Sequence, residues 1–483
     1  MMMQWMGSSS SDGALLIDGL YADRYELSMA WAYWRDGRAT EPAVFDYFFR
    51  QAPFGGAYAV FAGAASLVEA LADFRFGREQ LAFLRAEGYS EAFLDVLSRF
   101  SFRGSIWMPP EGEPVFPLEP VARIEGGLME AQLIESLLLN ILNFQTLIAT
   151  KAARCRQAAR GRAVSEFGLR RAQGMGGRWA SRAACIGGCS GTSNLDAARI
   201  YGLATAGTMA HSYVQSYDQE LTAFRKYAEV HGSGTVLLLD TYDTLRSGLP
   251  HAITVGKELA ARGQTLAGVR LDSGDLAYLA RKARKALDQA GLASVGIVAS
   301  NQLDEYIIRS LVEQGAPIDV FGVGTALATG QPDAALDGVY KLAVCGGRPR
   351  MKRAEAVAKM TLPGRKFVAR FRDGQGFFRA DAVHLADEPT PREMMDPRDP
   401  LRRLDLSGWT EEALLRPILA EGQLVGEVPH VAAAAAYARE REGALPPEHR
   451  RFENPHIYKV GISPSLAELR DGLLMQFRKE NEP

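Results

Sequence analysis

Between residues 126 and 345 the chain carries seven short apolar or β-branched runs, each ending in a polar or glycine-rich turn. The ends fall near Ser165-Glu166-Phe167-Gly168, Cys185-Ile186-Gly187-Gly188, Ala206-Gly207-Thr208, Val236 to Asp240, Val269 to Asp272, Ile297 to Asn301 and Val320 to Gly324. Amphipathic helical patterns such as Leu276 to Ala290 and Leu303 to Gln314 lie between them. Repeated strand-then-helix units demand parallel pairing, because a crossover helix must return the chain to the end from which it started. Seven such units predict a closed or nearly closed β/α barrel, with an open doubly wound sheet as the alternative.

The flanks read differently. A length of 483 residues exceeds one ordinary core, so further domains are expected. Residues 14–125 mix a helix at Tyr25 to Trp34, a strand at Ala43 to Arg50 before a Pro53-Phe54-Gly55-Gly56 turn, and helices at Leu67 to Phe74 and Glu79 to Phe100. Short strands and turns follow in the proline- and glycine-rich Ile106 to Pro120. Residues 346–483 are richer in proline, arginine and acidic residues, with an alanine-rich helix around Val431 to Arg439 and a short helix near Leu466 to Phe477. The expected α/β architecture is an irregular β/α barrel over 126–345, an α+β domain over 14–125, and a carboxy-terminal region over 346–483 packing back on it.

Met1 to Gly13 is polar and serine-rich, without an apolar stretch, and reads as a flexible tail rather than a signal peptide. Leu133 to Ala149 is interrupted by Glu135, Ser136, Asn140, Asn143 and Gln145, which makes it a buried helix and not a membrane span. A formal net charge of −2 with no polybasic run argues against nucleic acid as the main partner. Four cysteines in a chain this long do not build a disulfide framework, and buried reduced thiols suit a cytoplasmic location. Cys185 and Cys189 have half the spacing of a zinc site, but no second ligand pair follows them.

In β/α barrels the chemistry gathers on the loops after the strands. Here Glu166, Arg170 and Arg171 follow the first run, and Thr192, Ser193 and Asn194 the second. Thr208, His211 and Ser212 follow the third, and Asp240 and Asp243 the fourth. Arg270, Asp272, Ser273 and Asp275 follow the fifth, Ser300 and Asn301 the sixth, and Gly322, Gly324 and Thr325 the seventh. The turn Phe321-Gly322-Val323-Gly324-Thr325 lets backbone N–H groups approach an anion closely, although an ordinary tight turn has the same composition. It has neither the spacing of a dinucleotide fingerprint nor that of a P-loop.

Arg270-Leu271-Asp272-Ser273-Gly274-Asp275 sets a guanidinium beside two carboxylates. The arginine suits a bidentate carboxylate or phosphate, and Asp272 and Asp275 suit ribose hydroxyls or a Mg²⁺ carrying a diphosphate. A loop in which these charges satisfy one another is the plainer alternative. Of seven histidines, His211 alone sits in a small-residue turn directly after an expected strand, Gly207-Thr208-Met209-Ala210-His211-Ser212. Imidazole nitrogen is a competent phosphoryl acceptor at neutral pH, and a capping or packing histidine is the other reading.

Taken in order, these strings resemble the nicotinate phosphoribosyltransferase family. The match runs through Ala22 to Met29, Phe49 to Gly56, Glu166-Phe167-Gly168-Leu169-Arg170-Arg171-Ala172-Gln173, Gly207 to Ser212, Val269 to Leu276, Gly322 to Thr325, Gly338 to Leu342, and Asn454-Pro455-His456-Ile457-Tyr458. The resemblance implies transfer of phosphoribose from 5-phosphoribosyl 1-diphosphate to nicotinate, with Mg²⁺, on the salvage route to NAD. It implies ATP hydrolysis coupled through phosphorylation of His211, and a homodimer whose amino-terminal region completes the partner's active site. It places Tyr25, Thr208 and Arg270 at nicotinate, Thr325 at the sugar phosphate, and Arg170 as a further pocket residue.

The first motif usually begins Thr-Asp-Leu-Tyr-Gln, and here Ala22, Arg24 and Glu26 differ. Cys189 and Ser190 stand where Phe-Asp usually follows two glycines. Related readings on the same architecture are nicotinamide or quinolinate phosphoribosyltransferase, or a catalytically silent binding relative.

Overall fold

The computed structural model describes residues 17–352 and 361–481, so the expected tail at 1–13 lies outside the described residues. Six parallel strands form one sheet in the order Gly191–Thr192, Ala163–Glu166, Val320–Val323, Gly296–Ala299, Gly268–Leu271, Val236–Leu238. Of these six strands the first in sequence pairs with the last, Glu166 opposite Val323, which is ring closure rather than a doubly wound order. A parallel bridge from Thr192 to Thr205 extends the other edge. The pairing therefore runs around the ring with one gap, between Thr205 and Val236: a nearly closed β/α barrel. Helices Leu276–Gln289 and Glu305–Glu313 return the chain between strands, their N-termini capped by Asp275 and Asp304 side chains.

One expected strand end is corrected. Cys185-Ile186 closes the α-helix Gly176–Ile186, whose alanines favour helix, and the real second strand is the two-residue Gly191–Thr192. Gly187 and Gly188 follow the helix end, Gly188 at a φ of 107°, before the chain turns into that strand. Cys155, Cys185, Cys189 and Cys345 are all free and buried, and burial pushes the Cys185 thiol up to about 12.

The amino-terminal region is built on a mixed-origin antiparallel sheet. Pro42–Phe49 lies between Ala122–Gly127 and Gly338–Cys345, while Ser105–Met108 joins Ala122–Gly127 to Arg416–Ala420. Gly338–Cys345, the last segment of the expected barrel region, thus completes the amino-terminal sheet. The helix expected over Glu79 to Phe100 is two helices, Arg78–Ala86 and Glu91–Ser98, broken where Gly88 takes a φ of 94°. The buried helix Glu135–Ala159 runs between this layer and the barrel; its residues Leu137, Leu138, Ile141 and Leu142 join the amino-terminal core, and Ile148, Ala149, Ala152 and Ala153 the barrel core.

The carboxy-terminal region contains a six-stranded sheet ordered Asp399–Asp405, Glu393–Asp396, Val460–Ile462, Phe378–Leu385, Lys366–Arg372, Thr410–Ala413. It docks on the amino-terminal layer through buried charges: Lys366 on Asp46 at 2.7 Å, and Arg370 on Glu113, while Asp381 of the neighbouring strand holds the same guanidinium from within the sheet. Helices Val431–Gly443 and Pro464–Asn481 occupy the two expected helical segments. Among the described residues no helix is long and apolar enough to cross a membrane.

Candidate active site

The loops after the parallel strands enclose a cavity of about 370 Å³ lined by Phe167, Arg170, Thr208, His211, Arg270 and Asp272. Arg270 organises it. This residue is next to last in its strand, and its side chain reaches forward, only 14% exposed. Its Nε donates to Ser300 Oγ at 2.8 Å, Nη1 to Thr208 Oγ1 at 2.9 Å, and Nη2 to Asp272 Oδ1 at 2.8 Å. Three strand ends, those carrying Thr208, Arg270 with Asp272, and Ser300, are thereby tied to one guanidinium that is also 5.9 Å from the Phe167 ring centre.

Asp272 is the second hub. Ser300 donates its hydroxyl to Oδ1, and Oδ2 lies 3.7 Å from His211 Nε2. Burial pushes its carboxyl up, but the Ser300 hydroxyl and the Arg270 guanidinium outweigh that and hold it below the usual carboxylate range. His211 opens the helix His211–Gln215, its side chain 41% exposed to the cavity mouth, with Nδ1 3.2 Å from Thr241 Oγ1. The ring is thus held on one nitrogen by a hydroxyl and faces a carboxylate with the other.

Beneath the cavity, Glu166 is buried as an acceptor for Ser181 Oγ at 2.8 Å, Thr192 Oγ1 at 2.5 Å and the Gly168 amide. This fixes the turn that carries Phe167 and Arg170. Gly322 is required by packing: a Cβ there would fall 2.5 Å from the Phe167 ring and 3.4 Å from Ser300 Cβ. A Cβ on Gly324 would stand 3.2 Å from the Phe167 carbonyl oxygen. Thr325 begins the short helix that follows. Asn301 is exposed beside Ser300 with a φ of 87°.

Two expected site residues are placed elsewhere. Asp275 Oδ1 accepts from the Tyr278 amide at 3.0 Å as a helix cap, which leaves Asp272 to face the cavity without it. Tyr25, 44% exposed, lines a separate cavity with Tyr21, Asn140 and Phe144. One contributor, Thr241, is absent from the strand-end residues read in the sequence, and another, Asp240, is read there only as a strand-end residue. Thr241 gives no signal, since its contact with His211 spans 30 positions. Asp240 does stand at a strand end; its Oδ2 accepts from the Asp272 amide at 3.1 Å, and its Oδ1 is buried without a hydrogen-bond partner.

Comparisons with known proteins agree across the chain. The model of the nicotinate phosphoribosyltransferase N-terminal domain matches residues 20–143, that of the family matches 163–374, and that of the C-terminal domain matches 365–470. Nicotinate phosphoribosyltransferase of Bacillus subtilis is 43% identical over 455 residues, 92% of each chain. The Homo sapiens enzyme of that name is 35% identical over 517 residues, covering 94% of this chain and 96% of its own. A crystal structure of human nicotinic acid phosphoribosyltransferase superposes with a TM-score of 0.84 over 93% of this chain and 99% of that one, at 34% identity. With its three regions matched in order and its strand-end residues gathered round one cavity, the chain belongs to the nicotinate phosphoribosyltransferase family.

Proposed function

We propose that this chain transfers a phosphoribosyl group from 5-phosphoribosyl 1-diphosphate to nicotinate, giving nicotinate mononucleotide and diphosphate for NAD salvage, with ATP hydrolysis coupled through phosphorylation of His211. The observation that carries this reading is the joint engagement of Arg270, Thr208, Ser300, Asp272 and His211 around one cavity.

Arg270 offers the charge that prefers a pyridine carboxylate to an amide, and Thr208 holds that guanidinium in place. Phe167 closes the cavity with an aromatic face of the kind on which a pyridine ring stacks. Attack by the pyridine nitrogen on C1 of the ribose passes through an oxocarbenium-like state, so in-line placement is what the site must provide. Gly322, Gly324 and Thr325 form the turn offered to the sugar phosphate, with Ser300 and Asn301 beside it, and Arg170 adds a second cation at the rim.

Magnesium fits the residues present. One or two carboxylates plus substrate phosphates are its usual protein site, and Asp240 Oδ1 and Asp272 Oδ2 are the oxygens available, with Asp275 capping its helix nearby. When bound it would neutralise the departing diphosphate. With the proton on Nδ1 and donated in a hydrogen bond to Thr241 Oγ1, the Nε2 lone pair stands free as phosphoryl acceptor, with Asp272 to stabilise the charged ring.

Tyr25 supports a homodimer with shared sites. It is exposed and lies outside its own chain's cavity, so it meets nicotinate only if a second copy supplies it. Four free, buried cysteines fit a reducing cytoplasm. The test is nicotinate mononucleotide formation with and without Mg-ATP, for the wild type and His211→Ala. ATP stimulation lost in the variant supports the whole reading. Product indifferent to ATP and His211 keeps the transferase and removes the coupling. Turnover of nicotinamide or quinolinate in place of nicotinate removes the substrate assignment, and no turnover of any of them removes the transferase.

A further inference from the structure

Glu26 follows Tyr25 in the helix Arg24–Arg35 and is wholly buried, 0% exposed. Its Oε1 accepts from the Ser136 amide at 2.9 Å and from the Ser136 hydroxyl. Its Oε2 is buried with no hydrogen-bond partner. Ser136 also accepts from the Asp23 amide at 3.3 Å, and the Glu26 amide donates to the Asp23 carbonyl at 3.0 Å. One serine at the start of the helix Glu135–Ala159 therefore grips the chain on both sides of Tyr25, through Asp23 and through Glu26.

The charges bearing directly on Glu26 are carboxylates, Glu135 and Asp23. Glu135 precedes Ser136, accepts from Gln132 Nε2 at 2.6 Å and bears on the Tyr25 phenol; Asp23 precedes the helix. From the strand Gly338–Cys345 the buried Tyr340 phenol bears on Glu26, while the Lys341 ammonium bears on Glu135. Arg24, the neighbour on the helix, pairs outward with Glu87 at 3.2 Å. An anion on Glu26 has two donors from one serine, a bare second oxygen and two neighbouring carboxylates, so a carboxylate there costs more than a neutral carboxyl.

Resting on the reading that Tyr25 contributes to the nicotinate site, we propose that Glu26 is the positioning residue for Tyr25 and does so only while it carries its proton. Burial first, then Glu135 and Asp23, push its carboxyl up to about 7 against the pull of Ser136. The proton is accordingly held below about pH 7 and released above it. Release forces the first turn of the helix to lift toward water to hydrate Oε2, and Tyr25 moves with it.

The experiment is nicotinate KM and kcat from about pH 6 to about pH 9 for the wild type, Glu26→Gln, Glu26→Ala and Ser136→Ala. If binding follows the protonated fraction, wild-type KM climbs toward about tenfold per pH unit above neutrality while kcat changes much less. Glu26→Gln removes that climb, and Glu26→Ala gives a raised KM at every pH. Ser136→Ala moves the midpoint of the climb to higher pH, because the lost hydroxyl favoured the ionised form. A flat wild-type KM, or a Glu26→Gln profile that tracks the wild type, overturns the proposal. Tyr25→Ala separates the two readings. An unchanged KM there removes Tyr25 from the nicotinate site, whereas a raised KM with an unaltered Glu26→Gln profile removes the Glu26 role alone.

Discussion

His211 Nε2 stands 3.7 Å from Asp272 Oδ2, and the same carboxylate receives Arg270 Nη2 on its other oxygen at 2.8 Å. One aspartate thus touches both the residue proposed to carry the phosphoryl group and the residue proposed to read nicotinate. Asp272→Asn keeps the shape and removes the charge. We expect kcat/KM to fall by about 10- to 150-fold, the worth of a hydrogen bond to a charged group at about 1.5–3 kcal/mol. ATP stimulation and nicotinate affinity should both suffer. Because Asp272 is held below its ordinary 3.8, its contribution is complete above that value and is lost as pH falls through the lower folded value. The ratio of wild-type to variant rates should therefore be flat from weakly acidic to alkaline pH; a ratio that titrates near neutrality would assign the charge elsewhere.

Thr241 holds His211 Nδ1 at 3.2 Å and touches none of the proposed nicotinate contacts. Thr241→Val should lower the ATP-stimulated rate by about 2- to 10-fold, in line with about 0.5–1.5 kcal/mol for a neutral hydrogen bond. The rate without ATP should hold. Steady-state rates measured with and without Mg-ATP check this, and equal losses in both would show that Thr241 supports the fold rather than the imidazole.

The barrel was legible because its strands are buried on both faces and read as apolar runs ending in polar turns, as at Val269 to Asp272. The second strand was not, since Gly191–Thr192 is too short for any period, and the apolar Ala183 to Ile186 beside it is a helix end. The carboxy-terminal sheet was hidden for another reason. Lys366, Arg370, Asp381 and His384 are buried in its strands, so the alternation of apolar and polar residues does not mark its faces. Arg270 and Asp272 were visible as a motif, and their shared partner Ser300 was visible only as a strand end. The contact of His211 with Thr241 and the place of Tyr25 depend on tertiary closure, which spacing along a chain does not encode.

Glu305 accepts from Arg154 Nε at 2.8 Å and from Lys151 Nζ, and all three side chains are nearly inaccessible. The trio joins the long helix Glu135–Ala159 to the barrel helix Glu305–Glu313. Glu305→Gln leaves two buried cations without their anion and should cost about 3–5 kcal/mol, seen as a large drop in Tm. Burial pushes the Glu305 carboxyl up, but Lys151 and Arg154 hold it below 4.5. Its stabilisation is therefore full above pH 4.5 and lost as pH falls through its lower folded value, so the wild-type advantage should shrink in acid. Thermal melts of both proteins across that range test this, and an equal Tm at neutral pH would show the cations to be hydrated.

Gly322 carries no side chain because Phe167 fills the space, its ring atoms 2.5 Å from where a Cβ would stand. Phe167 is fixed from behind by the Glu166-bound turn and cannot retreat that way, so the methyl of Gly322→Ala drives the ring toward Arg270 and into the cavity. Overpacking of this kind is worth about 1–3 kcal/mol. Its effect here should be a nicotinate KM raised by about 10-fold, with kcat reduced much less, because His211 and Asp272 lie on other strand ends. A smaller residue at 167 then restores room, so Gly322→Ala combined with Phe167→Leu should recover part of the lost affinity. The double variant is the decisive measurement. If its KM is the product of the two single effects, the alanine acts through the backbone turn and not through the ring.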